Sequence, residues 1–145
     1  MNNEEALWPP VNEENAPFWE GTRLGELRIQ RCPDSARLIF PPRLTSPWSK
    51  DAVPEWQRVS GRGRIWSFVI PHPPLLPPFD ALAPYNVILV ALEEDPTIRL
   101  VGNLISHEGA AVNSVDPSGI ELDAPVRVVF ERLSEALFLP RWVPA

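Results

Sequence analysis

The stretch RCPDSARLIFPPRLTSPWSK, residues 31–50, decides the fold of the first half of the chain. It has the outline of two metal-binding turns joined by a β-hairpin, as in a zinc ribbon, where two Cys-x-x-Cys pairs usually hold the ion. Only one cysteine, Cys32, is present, and serine occupies the other three candidate positions, Ser35, Ser46 and Ser49. Because a neutral serine hydroxyl is a poor ligand for Zn²⁺, we predict a ribbon-shaped element that binds no metal.

The composition is that of a folded protein. With 145 residues, of which 44% are hydrophobic, the chain can build one compact domain or a small domain with an added module. It has no apolar run of about 18 residues, and its first residues are acidic where a signal peptide is basic. A single cysteine excludes an internal disulfide and agrees with a reducing compartment. We therefore expect a cytoplasmic protein that does not enter a membrane.

Charge is distributed unevenly along the chain. The net charge is −6, but residues 1–22 sum to −5, residues 23–64 to +5 and residues 65–145 to −6. The acidic total argues against nucleic acid as a partner, because binding to its backbone depends on Lys and Arg. The basic middle is where an anionic ligand or partner would bind, unless these residues simply form a solvated face. The candidate contacts there are Arg31, Arg37, Arg43 and Lys50.

The hydrophobic pattern predicts a mainly β protein. Asn15 is a candidate N-cap for a short helix over Ala16 to Leu24. Glu26 to Cys32 has strand alternation, and Leu38 to Phe40 can pair back onto it, with Trp48 covering part of the small core. Trp56 to Ile70 is predicted as one long strand bent or bulged at its glycines. Four more strands follow, at Tyr85 to Leu92, Ile98 to Leu104, Val126 to Arg132 and Leu137 to Val143.

These last five strands match the order of an OB-type Greek-key barrel. We therefore predict a five-stranded OB-fold barrel preceded by a short N-terminal helix and a metal-less, zinc-ribbon-like hairpin. The predicted division is residues 1–25 for an N-terminal tail and helix, 26–54 for the degenerate ribbon and 55–145 for the OB-fold domain.

A proline-rich excursion, PHPPLLPPFDALAP, interrupts the barrel at residues 71–84. Prolines lower the entropic cost of holding a loop in one shape, so the loop can present apolar side chains. Leu75, Leu76 and Phe79 are predicted as an exposed binding ridge, with His72 as a further contact. The other interpretation is a lid folded over the open end of the barrel.

Several motifs together resemble the DUF35 proteins, also described as acyl-CoA-associated OB-fold proteins. They occur in the family's order over roughly residues 17–145: FWEGTRLGELRIQRC, FPPR, VSGRGRIWSF, PYNVILVAL, LVGNL, VRVVFE and LPRWVPA. The resemblance implies a helix, a rubredoxin-like zinc ribbon and an OB barrel. It also implies that the family's zinc cysteines fall on Cys32, Ser35, Ser46 and Ser49, so the metal site is degenerate here.

The resemblance implies a function as well. Such proteins act as non-catalytic accessory subunits of thiolase-like acyl-CoA enzymes in lipid, sterol or isoprenoid-precursor metabolism. Docking would use the ribbon, including Trp48, and the proline-rich loop, and acyl-CoA would bind at the shared interface.

No catalytic constellation is evident in the sequence. Cys32 beside Arg31 is a candidate nucleophile and His72 a candidate proton donor, but neither has a recognisable partner. We predict that the chain is not an enzyme and uses no cofactor. The alternative is a stand-alone OB-fold module for acyl-CoA or single-stranded nucleic acid, in which Trp66 and Phe68 would stack bases if they do not fill the barrel core.

Overall fold

The computed structural model describes residues 7–145. The predicted N-terminal tail lies partly outside this range, at residues 1–6. The described helices are α1 (Ala16–Arg23) and α2 (Phe79–Leu82). The described strands are β1 (Arg28–Arg31), β2 (Leu38–Ile39), β3 (Glu55–Arg58), β4 (Arg62–Val69), β5 (Val87–Leu92), β6 (Arg99–Gly102), β7 (Pro125–Arg132) and β8 (Phe138–Pro144).

Helix α1 lies where the sequence predicts it, but its start differs in detail. The Asn15 side chain does not cap the helix; its Oδ1 accepts from the backbone N–H of Asn12 at 2.8 Å. The ring of Phe18, which is buried, meets that of Trp19 edge to face, with centroids 4.9 Å apart. Neighbouring aromatic residues on one helix thus point in different directions, and both still pack on the body of the protein.

A small antiparallel sheet has the strand order β2-β1-β3. The predicted β1–β2 hairpin is confirmed, with Gln30 opposite Ile39. The prediction of one strand from Trp56 to Ile70 is wrong, because β3 pairs with β1 and only β4 belongs to the larger sheet. The chain changes sheet at Gly61, whose φ of +76° is unfavourable for a residue with a side chain.

The larger sheet has the order β6-β5-β4-β7-β8, which confirms the five-stranded OB-type barrel. The sheet curls until its two edge strands approach, and a parallel bridge joins Leu104 to Trp142. The backbone N–H of Ile105 also donates to the Trp142 carbonyl at 2.8 Å. Beyond this contact β6 and β8 separate, so the barrel has an open seam on one side.

Strand β4 contains a β-bulge at Trp66. Ile65 pairs with Val90 and Ser67 with Leu89, so one residue on β4 has no partner on β5. The bulge was predicted at the glycines and lies instead at this tryptophan. Trp66 continues the outward alternation of Arg62 and Arg64 and is 52% exposed, and the bulge turns Phe68, two residues later, toward the core. The two aromatic side chains therefore do not form one stacking surface.

The largest buried cluster joins α1, the small sheet and the barrel, from Phe18 and Ile29 to Val90 and Trp142. Cys32, Ile39 and Ala52 form a separate small cluster inside the ribbon-like element. The division at residue 54 stays a prediction; β3 lies beyond that boundary and pairs with β1. None of the helices within residues 7–145 is long and apolar enough to cross a membrane.

Candidate functional site

The four candidate ligand positions lie on two hydrogen-bonded turns. In the first turn, the N–H of Cys32 donates to the Arg37 carbonyl at 2.8 Å and the N–H of Ala36 to the Cys32 carbonyl at 2.9 Å. In the second, the N–H of Ser46 donates to the Ala52 carbonyl at 2.9 Å. The Ser49 hydroxyl donates to the Asp34 carboxylate at 2.6 Å and so links the two turns.

The chemistry around Cys32 is that of a buried thiol among hydroxyl groups. Hydrogen bonds from Ser35, and secondly from Ser46, lower the pKa of Cys32 to about 7, although burial acts in the opposite direction. One thiol and three neutral hydroxyls do not fit the donor set that Zn²⁺ requires. Across residues 7–145 no group of three or more His, Cys, Asp or Glu side chains converges on a metal-sized site. The absence of zinc from the protein stays a prediction.

A glutamine helps to hold the second turn in place. Gln30, in the central strand β1, is only 4% exposed. Its Nε2 donates to the Arg43 carbonyl at 2.8 Å, and its Oε1 accepts from the Arg43 N–H at 2.7 Å. This pair of bonds fastens the start of the loop that carries Trp48 to the small sheet.

The predicted basic contacts are only partly brought together. Arg37 stacks over Trp48, with its guanidinium carbon 4.0 Å from the ring centroid. Trp48 is 48% exposed, so the prediction that it covers the small core is wrong. Arg31 faces Glu55 at 3.8 Å, which partly compensates its charge. The side chains of Arg43 and Lys50 are exposed to solvent.

The proline-rich loop has features of both predictions, the exposed ridge and the lid over the barrel. Leu76 is 70% exposed and His72 is exposed, as on a binding ridge, whereas Leu75 is half-buried. Phe79 starts α2 and its ring lies 5.9 Å from that of Tyr85, so this end of the loop folds back on the barrel. The loop therefore covers part of the barrel and leaves Leu76 in solvent.

Neither Cys32 nor His72, the two catalytic candidates of the sequence, has an acid–base partner among residues 7–145. His72 and His107 are both exposed. The Nδ1 atom of His107 lies 3.0 Å from the hydroxyl of Ser106, its neighbour in sequence, on the surface. The partners of the Cys32 thiol are serines, which provide no general base.

A cavity of about 610 Å³ occupies the open seam of the barrel, and we call it the seam cavity. It lies between β6 and β8 and extends to α1 and the proline-rich loop. Its aromatic wall consists of Phe18, Trp19, Phe40, Phe79, Tyr85 and Trp142. Its polar side chains are Arg99, Asn103 and Arg141.

Two indole nitrogens of the seam cavity have no hydrogen-bond partner. Nε1 of Trp19 and Nε1 of Trp142 are both buried and unpaired among the described residues. Trp142 packs so closely on Gly102 that a Cβ at that glycine would lie 2.8 Å from Nε1. The nitrogen therefore sits beside the wall that β6 contributes to the cavity.

The arginines of the seam cavity are already engaged. The Nε atom of Arg141 donates to Glu131 at 2.7 Å, and its Nη1 donates to Asn103. Arg99 stacks on Trp66, with its guanidinium carbon 3.7 Å from the ring centroid. None of the cavity tryptophans or arginines was singled out as a site residue in the sequence. The available signal was the Phe18–Trp19 pair, whose adjacent rings must pack on different elements.

Comparisons with known proteins agree with this architecture. The family model described as "ChsH2, C-terminal OB-fold domain" matches residues 56–131. The chain is 34% identical over 131 residues to the 3-oxo-4,17-pregnadiene-20-carboxyl-CoA hydratase alpha subunit of Mycobacterium tuberculosis, covering 90% of this chain and 38% of that protein. It is 31% identical over 137 residues to a probable enoyl-CoA hydratase alpha subunit of Thermomonospora curvata, covering 94% and 39%. The chain thus spans under two-fifths of the length of these curated relatives.

Two solved structures have the same fold. A structure described as "Ltp2-ChsH2(DUF35) aldolase" superposes with a TM-score of 0.79 at 31% identity, covering 94% of this chain and 98% of that one. A DUF35 protein of unknown function from Sulfolobus solfataricus gives a TM-score of 0.61 at 13% identity, covering 98% and 92%, and supports the fold alone. The chain therefore belongs to the DUF35 family and carries the OB-fold domain of the ChsH2 C-terminal type.

Proposed function

We propose that this chain is a non-catalytic accessory subunit of a thiolase-like, acyl-CoA-processing enzyme in lipid, sterol or isoprenoid-precursor metabolism, located in the cytoplasm. The names of its relatives support a role as a subunit of an acyl-CoA-processing enzyme, because two are alpha subunits of CoA-ester hydratases and one structure is an aldolase that contains a DUF35 chain. The absence of an acid–base partner for Cys32 or His72 among residues 7–145 supports a role without chemistry of its own.

The exposed Leu76, near the middle of the proline-rich loop, is the observation that carries the docking proposal. Leu76 exposes 70% of its surface on a loop that prolines make rigid. A partner that buries it gains most of the transfer free energy of a leucine, roughly 2 kcal/mol, and pays little to order the loop. Trp48 with Arg37 offers a second anchor of the type enriched at protein interfaces.

Coenzyme A at the shared interface is part of the same proposal. Arg37, Arg43 and Lys50 have no ion-pair partner within 4 Å among residues 7–145, whereas Arg31 is close to Glu55. The three available cations suit the phosphates of a CoA molecule held by the partner. Arg31 and His72 would then contribute only at the edge of the interface.

Affinity purification of the tagged chain from its native host tests this role. We expect a thiolase-like or other acyl-CoA enzyme to be recovered with it, and recovery of the chain alone would contradict the proposal. Leu76→Asp should reduce partner recovery at least tenfold, because it places a charge in an apolar contact. Leu122→Asp is the matched control, since Leu122 is 63% exposed in the segment before β7 and outside the loop. Equal recovery with both variants would place docking elsewhere.

A stand-alone binding module is the second candidate. The exposed Trp66, held under Arg99, is the observation that favours it, since such a ring can stack on a nucleobase. The acidic balance of the barrel half acts against a polyanion. Calorimetry with acyl-CoA and with a single-stranded oligonucleotide tests the module, and no heat with either ligand would exclude it.

A further inference from the structure

We propose that the edge of β6 facing away from β5, at Arg99 and Val101, binds an extended segment of a partner protein as an added β-strand. We call these two residues the β6 edge. The segment carries an acidic side chain next to Arg99 and apolar side chains toward the aromatic wall of the seam cavity. This claim concerns a peptide site of the isolated chain and does not depend on docking to an acyl-CoA enzyme.

The backbone of β6 directs every second residue away from β5. The N–H of Leu92 on β5 donates to the carbonyl of Ile98, which lies opposite it, at 3.0 Å. Bonded and non-bonded pairs alternate along an antiparallel ladder, so the pair after this one has its N–H and C=O groups turned outward. Arg99 and Val101 therefore direct their backbone groups away from β5 and toward the open seam.

Strand β8 pairs with this side of the chain only beyond the end of β6. The carbonyl of Asn103 accepts from the N–H of Trp142 at 3.0 Å, which agrees with the alternation. The next rung of this parallel pairing would need an N–H two residues before Trp142, at Pro140, and proline has none. The carbonyl of Val101 therefore receives no bond from β8, and the two strands separate at this point.

The β6 edge is accessible to a partner. Val101 is 70% exposed, and Arg99 is exposed as well. Among residues 7–145, no group outside β5 bonds the backbone of either residue. Two donors and two acceptors are thus available at ladder spacing, and an extended peptide can bond all four. Both residues line the seam cavity, so the space about 4.8 Å from β6, where an added strand would lie, is open.

The side chains around the edge determine which segment fits. Arg99 has no carboxylate within 4.0 Å among the described residues, whereas Arg64 lies 3.9 Å from Asp123. Both arginines are opposite Ala91 in the sheet, so the outer face beside the edge is basic. An acidic side chain on the outer face of the added strand complements it. The side chains of its other face meet the aromatic wall, which favours apolar residues at alternate positions.

The same charge disfavours a second copy of this chain as the occupant. Pairing of two β6 edges would bring two Arg99 side chains onto one face of a continuous sheet, and like charges on neighbouring strands are destabilising. A segment with acidic and apolar residues in alternation has no such conflict. The geometry therefore favours a different protein over self-association.

Titration of the full chain with a blocked heptapeptide, Ser-Val-Glu-Val-Thr-Val-Glu, tests the site. Its acidic and apolar residues alternate as the edge requires. Binding is followed by ¹⁵N NMR of the backbone amides. We expect the amide signals of Arg99 and Val101 to shift and their hydrogen exchange to slow, with a Kd below about 1 mM.

Two N-methylated isomers of the peptide separate backbone bonding from side-chain contact. One is methylated on the odd-numbered residues and the other on the even-numbered ones, so all side chains are kept and each isomer loses the donors of one edge. An added strand uses only one of its edges on β6. One isomer should therefore bind about tenfold more weakly than the other.

Protein variants test the same contacts from the other side. Val101→Pro removes an N–H that has no partner in the isolated chain, so it should keep the fold and lower the affinity about tenfold. Val101→Thr is the matched control, because it keeps the N–H and the β-branched shape, and it should leave the affinity unchanged. Arg99→Glu should weaken binding, and a peptide with lysine in place of both glutamates should bind this variant better than it binds the wild type.

Equal affinities of the two methylated isomers, unmoved signals of Arg99 and Val101, or no binding below about 1 mM would each overturn the proposal. A folded Val101→Pro variant that binds the peptide like the wild type would do the same. So would a wild-type dimer that Val101→Pro dissociates, because the edge would then belong to a second copy. The comparison of the methylated isomers needs only the wild type and remains decisive if Val101→Pro does not fold.

Discussion

Replacing Gln30 by leucine tests how the second turn of the ribbon-like element is held to the small sheet. The substitution keeps a side chain of similar size and removes both bonds to Arg43, which measure 2.8 and 2.7 Å. Each bond contributes about 0.5–1.5 kcal/mol net, and the Arg43 N–H and C=O, left facing a leucine, add a desolvation cost. We expect Gln30→Leu to lower the free energy of unfolding by about 2–4 kcal/mol.

Urea denaturation followed by tryptophan fluorescence measures this loss. With a slope near 2 kcal/mol per molar urea, the midpoint should fall by about 1–2 M. Gln57→Leu is the matched control, because Gln57 lies on the neighbouring strand opposite Ile29 and its side chain is exposed. That variant should stay within about 0.5 kcal/mol of the wild type. A Gln30→Leu protein as stable as this control would show that the bonds to Arg43 do not hold the loop.

Three further predictions concern the same half of the protein. Replacing Ser35, Ser46 and Ser49 together by cysteine should create a zinc site, which is detected as thiolate absorption with Co²⁺. At a free zinc concentration of about 1,000 times the Kd, zinc should stabilise the variant by about 4 kcal/mol. One tightly bound zinc in the wild-type protein would contradict the metal-less prediction. Folding lowers the pKa of Cys32 from 9.0 to about 7, so the thiolate form stabilises the folded state at high pH. The stability of the wild type relative to Cys32→Ala, measured as urea midpoints, should therefore rise from pH 7 to pH 9. This added stability should be lost as the pH falls through 7. Gly61→Ala should destabilise by about 2–4 kcal/mol, since it combines a left-handed backbone with a Cβ 2.6 Å from a valine methyl, and an unchanged melting temperature would refute this.

The strands were predictable where burial alternates along a regular pleat. Leu27, just before β1, and Ile29, within it, are buried as their spacing predicts, and the five barrel strands appear in the expected order. The sheet to which β3 belongs was not predictable. The alternation of residues around Trp56 is compatible with pairing to β1 and equally with pairing in the barrel. That choice depends on Gly61, where the backbone turns between the sheets.

The candidate site was less predictable than the fold. Gln30 has the polar character of a solvent-facing strand residue, and it is buried because a loop 13 residues later covers that face of β1. The seam cavity gathers side chains from α1, β5, β6, β8, the proline-rich loop and the residue that follows β2. Nothing in the local pattern of any one of these segments indicates a cavity, since the empty space arises only where β6 and β8 separate. The cluster of serines around Cys32 was found from spacing because all four positions lie on two short turns.

The bulge at Trp66 shifts the inside–outside alternation of β4 by one residue. Before it, even-numbered residues such as Arg64 face solvent; after it, Phe68 faces the core and Val69 faces solvent. Deleting Trp66 would therefore restore a regular pleat and keep every remaining side chain on its present face. Deleting the neighbouring Ile65 would instead remove a core residue and leave the two side chains beside it facing solvent. In a family member one residue shorter in this strand, we therefore expect the missing residue at the bulge, because the inside–outside pattern on both sides of it is then kept.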